Sequence, residues 1–197
     1  MFDGLLARLK ATLSGRRSRT SGDPHLTPSA VLVLIYPRDG EPYVLFTERT
    51  EEVEYHKGEV SFPGGAREPG DASLLDTALR EAAEELGIAP GDVNVIGTLG
   101  DTSTASGFLI RSFVGSIKEG YRLRPSPEEI AQVIEVPLKA LAGAEGRRSE
   151  TRWTGGQPRA FSSFAYGGHL IWGATAGIVE RLVEALHTMD WRAGDAS

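Results

Sequence analysis

The segment from Asp71 to Gly87 constrains this chain most, because it has to be a helix and also concentrates negative charge. At roughly 100° per residue, Leu75, Leu79, Ala82 and Leu86 fall along one stripe that needs a core to face. Gly87 supplies a C-terminal stop, and Pro90 follows just beyond it. The spacing predicts a helix over 71–86 with Asp71 as its N-cap. Glu81, Glu84 and Glu85 gather on a face away from the apolar stripe, where like charges one turn apart repel. Arg80 can pair with Glu84 at i, i+4, but one cation does not neutralise three carboxylates. Two readings stand on these residues alone: a solvated acidic face, or a site for a hard divalent cation with oxygen ligands. The upstream run Phe62-Pro63-Gly64-Gly65 favours the second, since glycines let a backbone turn sharply and approach a ligand or the helix. A glycine loop feeding a helix that presents carboxylates is one way of holding Mg²⁺ near phosphates.

The remainder of the chain predicts strands mixed with a few helices. Ala30 to Tyr36 is a β-branched and aliphatic run, Pro37 to Pro42 is turn chemistry, and Tyr43 to Thr47 returns as the second arm of a hairpin. Val60 to Phe62 is extended. Further strands are expected at 93–99, 108–117, 130–136 and 160–166, with a short helix after Pro137 and a longer one over 175–187. That mixture implies an α/β fold with a sheet and helices in layers. Met1 to Leu13 is amphipathic and precedes Arg16, Arg17 and Arg19. The expectation there is a short surface helix and a solvated basic linker, the alternative being an organelle transit peptide. The organisation expected is thus an N-terminal helix and linker over 1–29, one catalytic body over 30–190 and a short tail over 191–197.

With 197 residues the chain can bury a sizeable core. Its net charge of −6 argues against a protein that coats nucleic acid, which needs a basic surface, yet leaves room for an anionic small molecule beside a bound cation. It holds no cysteine, so disulfides and thiolate metal sites are excluded and a cytoplasmic location fits. No apolar run is long enough to span a bilayer. The partner expected is a small-molecule substrate, not nucleic acid or membrane.

Gly65, Arg80-Glu81, Glu84-Glu85 and Gly87-Ile88 together resemble the signature box of the Nudix hydrolases. One departure is present: the acidic residue between the glycine and the arginine is Asp71 rather than Glu, one residue further from Arg80 than is common. The stretches Leu45 to Thr50 and His56 to Gly65 resemble the segment preceding the box in coenzyme A pyrophosphatases, as do Pro127 to Ile130, Glu135 to Leu138 and Leu170 to Ala176. Glu54 stands where that branch often carries Arg or Gln. The resemblance implies a Nudix-type α/β/α sandwich around a mixed β-sheet. It implies Mg²⁺ or Mn²⁺ on Glu81 and Glu85, with Glu84 sharing a second ion or orienting water. Glu84 and Glu129 both qualify as general base, and Arg80 holds the glutamates in place. Thr47, Arg49, Lys57, Gly64 and Gly65 are the expected substrate contacts, Arg49 or Lys57 supplying positive charge. The implied reaction is hydrolysis of the diphosphate of coenzyme A or its thioesters. Two rivals are another nucleoside diphosphate derivative such as ADP-ribose, and a scaffold that binds nucleotide without cleaving it.

Overall fold

The structure is a computed structural model that describes residues 2–14, 25–50, 58–143, 146–154 and 157–191. Two strands, β1 (Thr27–Arg38) and β2 (Glu41–Arg49), form the expected hairpin, paired antiparallel from Leu34 and Leu45 to Arg38 and Glu41. Asp39 and Gly40 close it with positive φ, the conformation such a tight turn demands. Next come β3 (Val60–Ser61), β4 (Gly64–Ala66), helix α2 (Leu74–Leu86) after the N-terminal α1 (Phe2–Ser14), then β5 (Asn94–Ser103) and β6 (Phe108–Ser116). Strand β7 (Ile130–Pro137) leads into α3 (Leu138–Ala142), and the chain continues through β8 (Arg147–Thr154), β9 (Gln157–Tyr166) and β10 (His169–Ile171) to α4 (Gly173–Thr188). Seven strands make one sheet in the order β3-β2-β1-β6-β5, with β4 added to β1 and β7 to β2, while β10-β9-β8 form a second, smaller sheet. The β1–β6 pair is parallel and its neighbours are antiparallel, so the main sheet is mixed.

Strand β1 shows why this is a sandwich. Its side chains alternate between the two faces. Ala30, Leu32, Leu34 and Tyr36 pack with Leu45 of β2 against Ala78, Ala82 and Leu86 of α2. Val33 and Ile35 pack on the other face with Val44 and Phe46 against α1 and α4. Both faces are covered, which is why β1 reads as a continuous apolar run rather than an alternating one.

Three expectations change. Helix α2 begins at Leu74, and its N-cap is Ser73, whose hydroxyl accepts from the Asp76 amide at 3.2 Å. Asp71 therefore does not cap it. The buried stripe is centred on Ala78, Ala82 and Leu86, with Leu74 and Leu79 partly buried beside it, rather than on Leu75 and Leu79. The first helix is also more than a surface element: Leu5, Leu6, Leu9 and Leu13 are buried in the same core as α4, and Trp191 joins them beyond it. Strands β8 and β10 were not among the expected elements.

Leu9 has no exposed surface, so Leu9→Ala leaves a cavity between α1, the sheet and α4. The expected cost is about 2–5 kcal/mol in a urea titration, whereas an α1 that merely lay on the surface would cost under about 0.5 kcal/mol.

Candidate active site

Arg80 organises the acidic helix. Its Nε donates to Asp71 Oδ1 at 3.0 Å and its Nη2 to Asp71 Oδ2 at 3.2 Å and to the Ala66 carbonyl at 3.2 Å. Its Nη1 donates to Glu84 Oε2 at 2.8 Å and lies 3.1 Å from Glu81 Oε1. Asp71 also accepts from the Thr77 hydroxyl at 2.9 Å and the Glu68 amide at 2.9 Å. These bonds hold its carboxyl far below the usual carboxylate range, the Arg80 contact acting most strongly, and they raise the already high pKa of Arg80. Asp71, expected as a cap, is instead the anchor of Arg80's network, together with Thr77 and the Ala66 carbonyl. The signal available was the opposite charge placed between Gly65 and Arg80.

Glu81 and Glu85 face the glycine loop. Gly65 pairs with Ala30 of β1 and Gly64 with Val31. A Cβ on Gly64 would lie 2.3 Å from the Ala30 carbonyl oxygen, and one on Gly65 would lie 2.3 Å from Glu81 Oε1. Gly64 tolerates no side chain, because a Cβ there would meet the backbone of β1, whereas a side chain at Gly65 would displace the Glu81 carboxylate. Glu85 is 2% exposed, so the cluster is not a solvated face. Burial pushes its pKa up to about 8, opposed first by Arg49 and reinforced by Glu81 and Glu129. Burial also raises Glu81, against the pull of Arg80.

The other expected residues are placed as follows. Glu84 is 53% exposed and turned to Arg80, away from the buried pair. Glu129 is half-buried, and its charge acts on both Glu81 and Glu85. It is carried there by a loop stitched to both neighbours: the Ser126 amide donates to the Glu85 carbonyl at 2.8 Å, and the Thr50 amide to the Glu129 carbonyl at 2.9 Å. Arg49 Nη1 lies 3.5 Å from Glu85 Oε1. Thr47 is wholly buried, and its hydroxyl donates to the Ser61 carbonyl at 3.3 Å, so its side chain ties β2 to β3. Glu54, His56 and Lys57 lie outside the described residues.

Among the described residues, no three His, Asp or Glu side chains converge closely enough to enclose a metal ion. Glu85 Oε2 is nevertheless buried without a hydrogen-bond partner, and Glu81 beside it is a second hard oxygen donor. Two carboxyls beside each other, one with an orphaned oxygen, are hard donors of the kind that suit a divalent cation.

Two outcomes follow from this geometry. Arg80→Lys keeps the charge but loses the planar fork onto Asp71, so it should lower both Tm and turnover instead of behaving as a conservative change; wild-type values for both would remove Arg80's positioning role. Glu85 binds a proton in the folded, metal-free protein that the unfolded chain has released above its ordinary value of 4.5. Its contribution to stability is therefore present below that value and lost as pH rises through about 8. Chelator-treated protein should melt at least about 5 °C lower at pH 8.5 than at pH 5.5 on this account, and Glu85→Gln should flatten the slope. Parallel curves for the two proteins would contradict the buried, protonatable Glu85.

The comparisons with known proteins agree with this fold. The NUDIX domain family matches residues 26–154. An uncharacterized Nudix hydrolase NudL of Photorhabdus laumondii is 38% identical over 145 residues, covering 73% of this chain and 77% of its own length. Its counterpart in Cronobacter sakazakii is 39% identical over 155 residues, 78% of this chain and 80% of its own. Among solved structures, a MutT/nudix family protein from Enterococcus faecalis superposes with a TM-score of 0.58 at 15% identity, over 94% of this chain and 69% of that one. The Nudix hydrolase RenU of M. smegmatis gives a TM-score of 0.54 at 20% identity, over 82% and 86% of the two chains. This chain belongs to the Nudix hydrolase family, whose members act on phosphoric anhydrides.

Proposed function

We propose that this Nudix hydrolase cleaves the diphosphate linkage of coenzyme A or its thioesters, giving phosphopantetheine or its acyl form and adenosine 3′,5′-bisphosphate. The chemistry rests on one observation: the half-buried Glu81 and the buried Glu85 stand against the Gly64-Gly65 loop, and Glu85 keeps an unpartnered oxygen. The substrate class rests on the segments Leu45 to Thr50, His56 to Gly65, Pro127 to Ile130, Glu135 to Leu138 and Leu170 to Ala176, which resemble one branch of the family.

Nudix enzymes generally use a divalent ion such as Mg²⁺ or Mn²⁺. Glu81 and Glu85 would hold it here. When bound, such an ion polarises a phosphoryl oxygen and brings the pKa of a coordinated water towards neutrality. Arg80 keeps Glu81 and Glu84 in place through its bonds to Asp71 and Ala66. Glu129 and Glu84 are the two bases in reach of the site: Glu129 sits close enough to influence the buried pair, and Glu84 would need Arg80 to share it. Gly64 lets the loop lie against β1, and Gly65 leaves the Glu81 carboxylate its place beside the loop.

The test compares kcat/KM for coenzyme A, dephospho-coenzyme A and ADP-ribose with Mg²⁺ or Mn²⁺, the products identified by mass. Coenzyme A should be preferred, and Glu81→Gln should lower kcat by about a hundredfold or more while leaving the fold intact. An ADP-ribose preference of about tenfold, or roughly 1.4 kcal/mol in transition-state binding, would overturn the substrate and keep the chemistry. Near wild-type turnover in Glu81→Gln would overturn the site.

A further inference from the structure

The contact between Arg49 and the buried Glu85 is looser than the pairs that Arg111 and Arg80 make with the buried carboxylates Asp101 and Asp71. Arg111 grips Asp101 through Nε and Nη2 at 2.8 and 2.9 Å, and Arg80 grips Asp71 at 3.0 and 3.2 Å. Both are two-pronged, as guanidinium and carboxylate geometry favours. Arg49 instead reaches Glu85 at 3.5 Å, beyond good hydrogen-bond length. Its Nε is buried without a partner, and so is Glu85 Oε2. A guanidinium and a carboxyl, each with one buried and unsatisfied atom, thus lie side by side in one site. Each such atom costs free energy unless something else completes it.

The backbone aims Arg49 at this spot. Its amide donates to the Glu59 carbonyl and its carbonyl accepts from the Gly58 amide, both at 3.2 Å. The ladder to β7 shifts register between Glu48 and Arg49, a bulge of the kind that redirects a side chain. A residue placed so firmly, yet left with an empty donor, is set up for a ligand it does not have in the free protein.

We propose that Arg49 is the counter-ion of Glu85 whenever that carboxyl is ionised, released when a divalent cation takes the carboxylate, and that the freed guanidinium then receives a phosphate oxygen of the substrate's diphosphate. Arg49 is thus a positioning residue that couples cation binding to substrate binding. The cation supplies the charge Glu85 loses, and the diphosphate supplies the acceptors that Arg49 lacks. This inference rests on the reading of Glu81 and Glu85 as cation ligands.

The test measures Mn²⁺ binding by calorimetry in nucleotide-free protein for wild type, Arg49→Gln, Arg49→Lys and Glu85→Gln. The affinity for α,β-methylene-ADP is measured with and without Mn²⁺, and thermal melts verify each fold. Arg49→Gln should bind Mn²⁺ more tightly than wild type by about threefold or more, because the competing cation is gone, and Arg49→Lys should stay close to wild type. The strengthening of α,β-methylene-ADP binding by Mn²⁺ should shrink by about fivefold or more in Arg49→Gln. If Glu85→Gln loses Mn²⁺ while Arg49→Gln binds it no better than wild type, Arg49 is not the counter-ion and the proposal fails alone. If Arg49→Gln gains Mn²⁺ affinity but keeps the full coupling, the hand-over to the diphosphate is wrong. If Glu85→Gln binds Mn²⁺ as wild type does, the cation site and the proposal fail together.

Discussion

The guanidinium of Arg80 is the contact on which the site depends. It joins three pieces of chain that local structure alone would leave independent: the loop carbonyl of Ala66, the carboxylate of Asp71 and the helical carboxylates of Glu81 and Glu84. Asp71 in turn is held by Thr77 from inside the first turns of α2. The loop between β4 and α2 is therefore fastened to the helix at both ends, and the helix cannot rotate without breaking several charge-assisted bonds at once. That orientation is what turns Thr77, Glu81 and Glu85 inward along one side of α2 while Ala78, Ala82 and Leu86 bury the adjacent stripe.

The cost of this arrangement falls on Glu85. A carboxylate at 2% exposure loses its hydration, and the loose contact from Arg49 and a backbone hydrogen bond from Gly64 return only part of it. Glu81 and Glu129 add repulsion. A fold that tolerated these terms for no purpose could relieve them by placing an apolar residue there. Local energetic penalties of this kind concentrate where a ligand completes the structure, and the unpartnered oxygen indicates the direction from which the ligand comes.

Much of this was legible in the sequence, for identifiable reasons. The α2 helix, its Gly87 stop at a φ of 68°, the β1–β2 hairpin and the strands around 94–103, 108–116 and 130–137 follow from periodicity and turn chemistry, which are local signals. What failed was non-local. Asp71 looks like a cap because capping is judged over three or four residues, whereas its partner Arg80 lies nine residues on. Glu85 looks solvated because a helical wheel knows nothing of the loop at 124–129 that folds over the end of α2, where the Arg124 amide caps the Leu86 carbonyl at 2.8 Å. Strand β8 reads Arg-Arg-Ser-Glu-Thr-Arg-Trp-Thr, with no apolar alternation to announce it, and β10 is three residues long. Both exist because β9 lies between them to supply the hydrogen bonds.

The two glycines ahead of α2 connect the fold to the chemistry. Because a Cβ on Gly64 would run into the Ala30 carbonyl, β4 can lie flush against β1 only with glycine at that position. Because β4 lies flush, Gly65 arrives beside Glu81, where a side chain would push the carboxylate out of place. The same strand β1 carries Leu32 and Leu34, on which Ala82 and Leu86 of α2 pack. The sheet thus fixes the loop and the helix from one surface, and the gap between loop and carboxylates is set by the core rather than by either element alone. Rigid scaffolding of that sort suits catalysis by positioning, where small displacements of a reacting group reduce rate steeply. It also explains why a chain whose glutamates are crowded and partly buried keeps them: the hydrophobic packing of α2 on β1 supplies the stability that the acidic face withdraws.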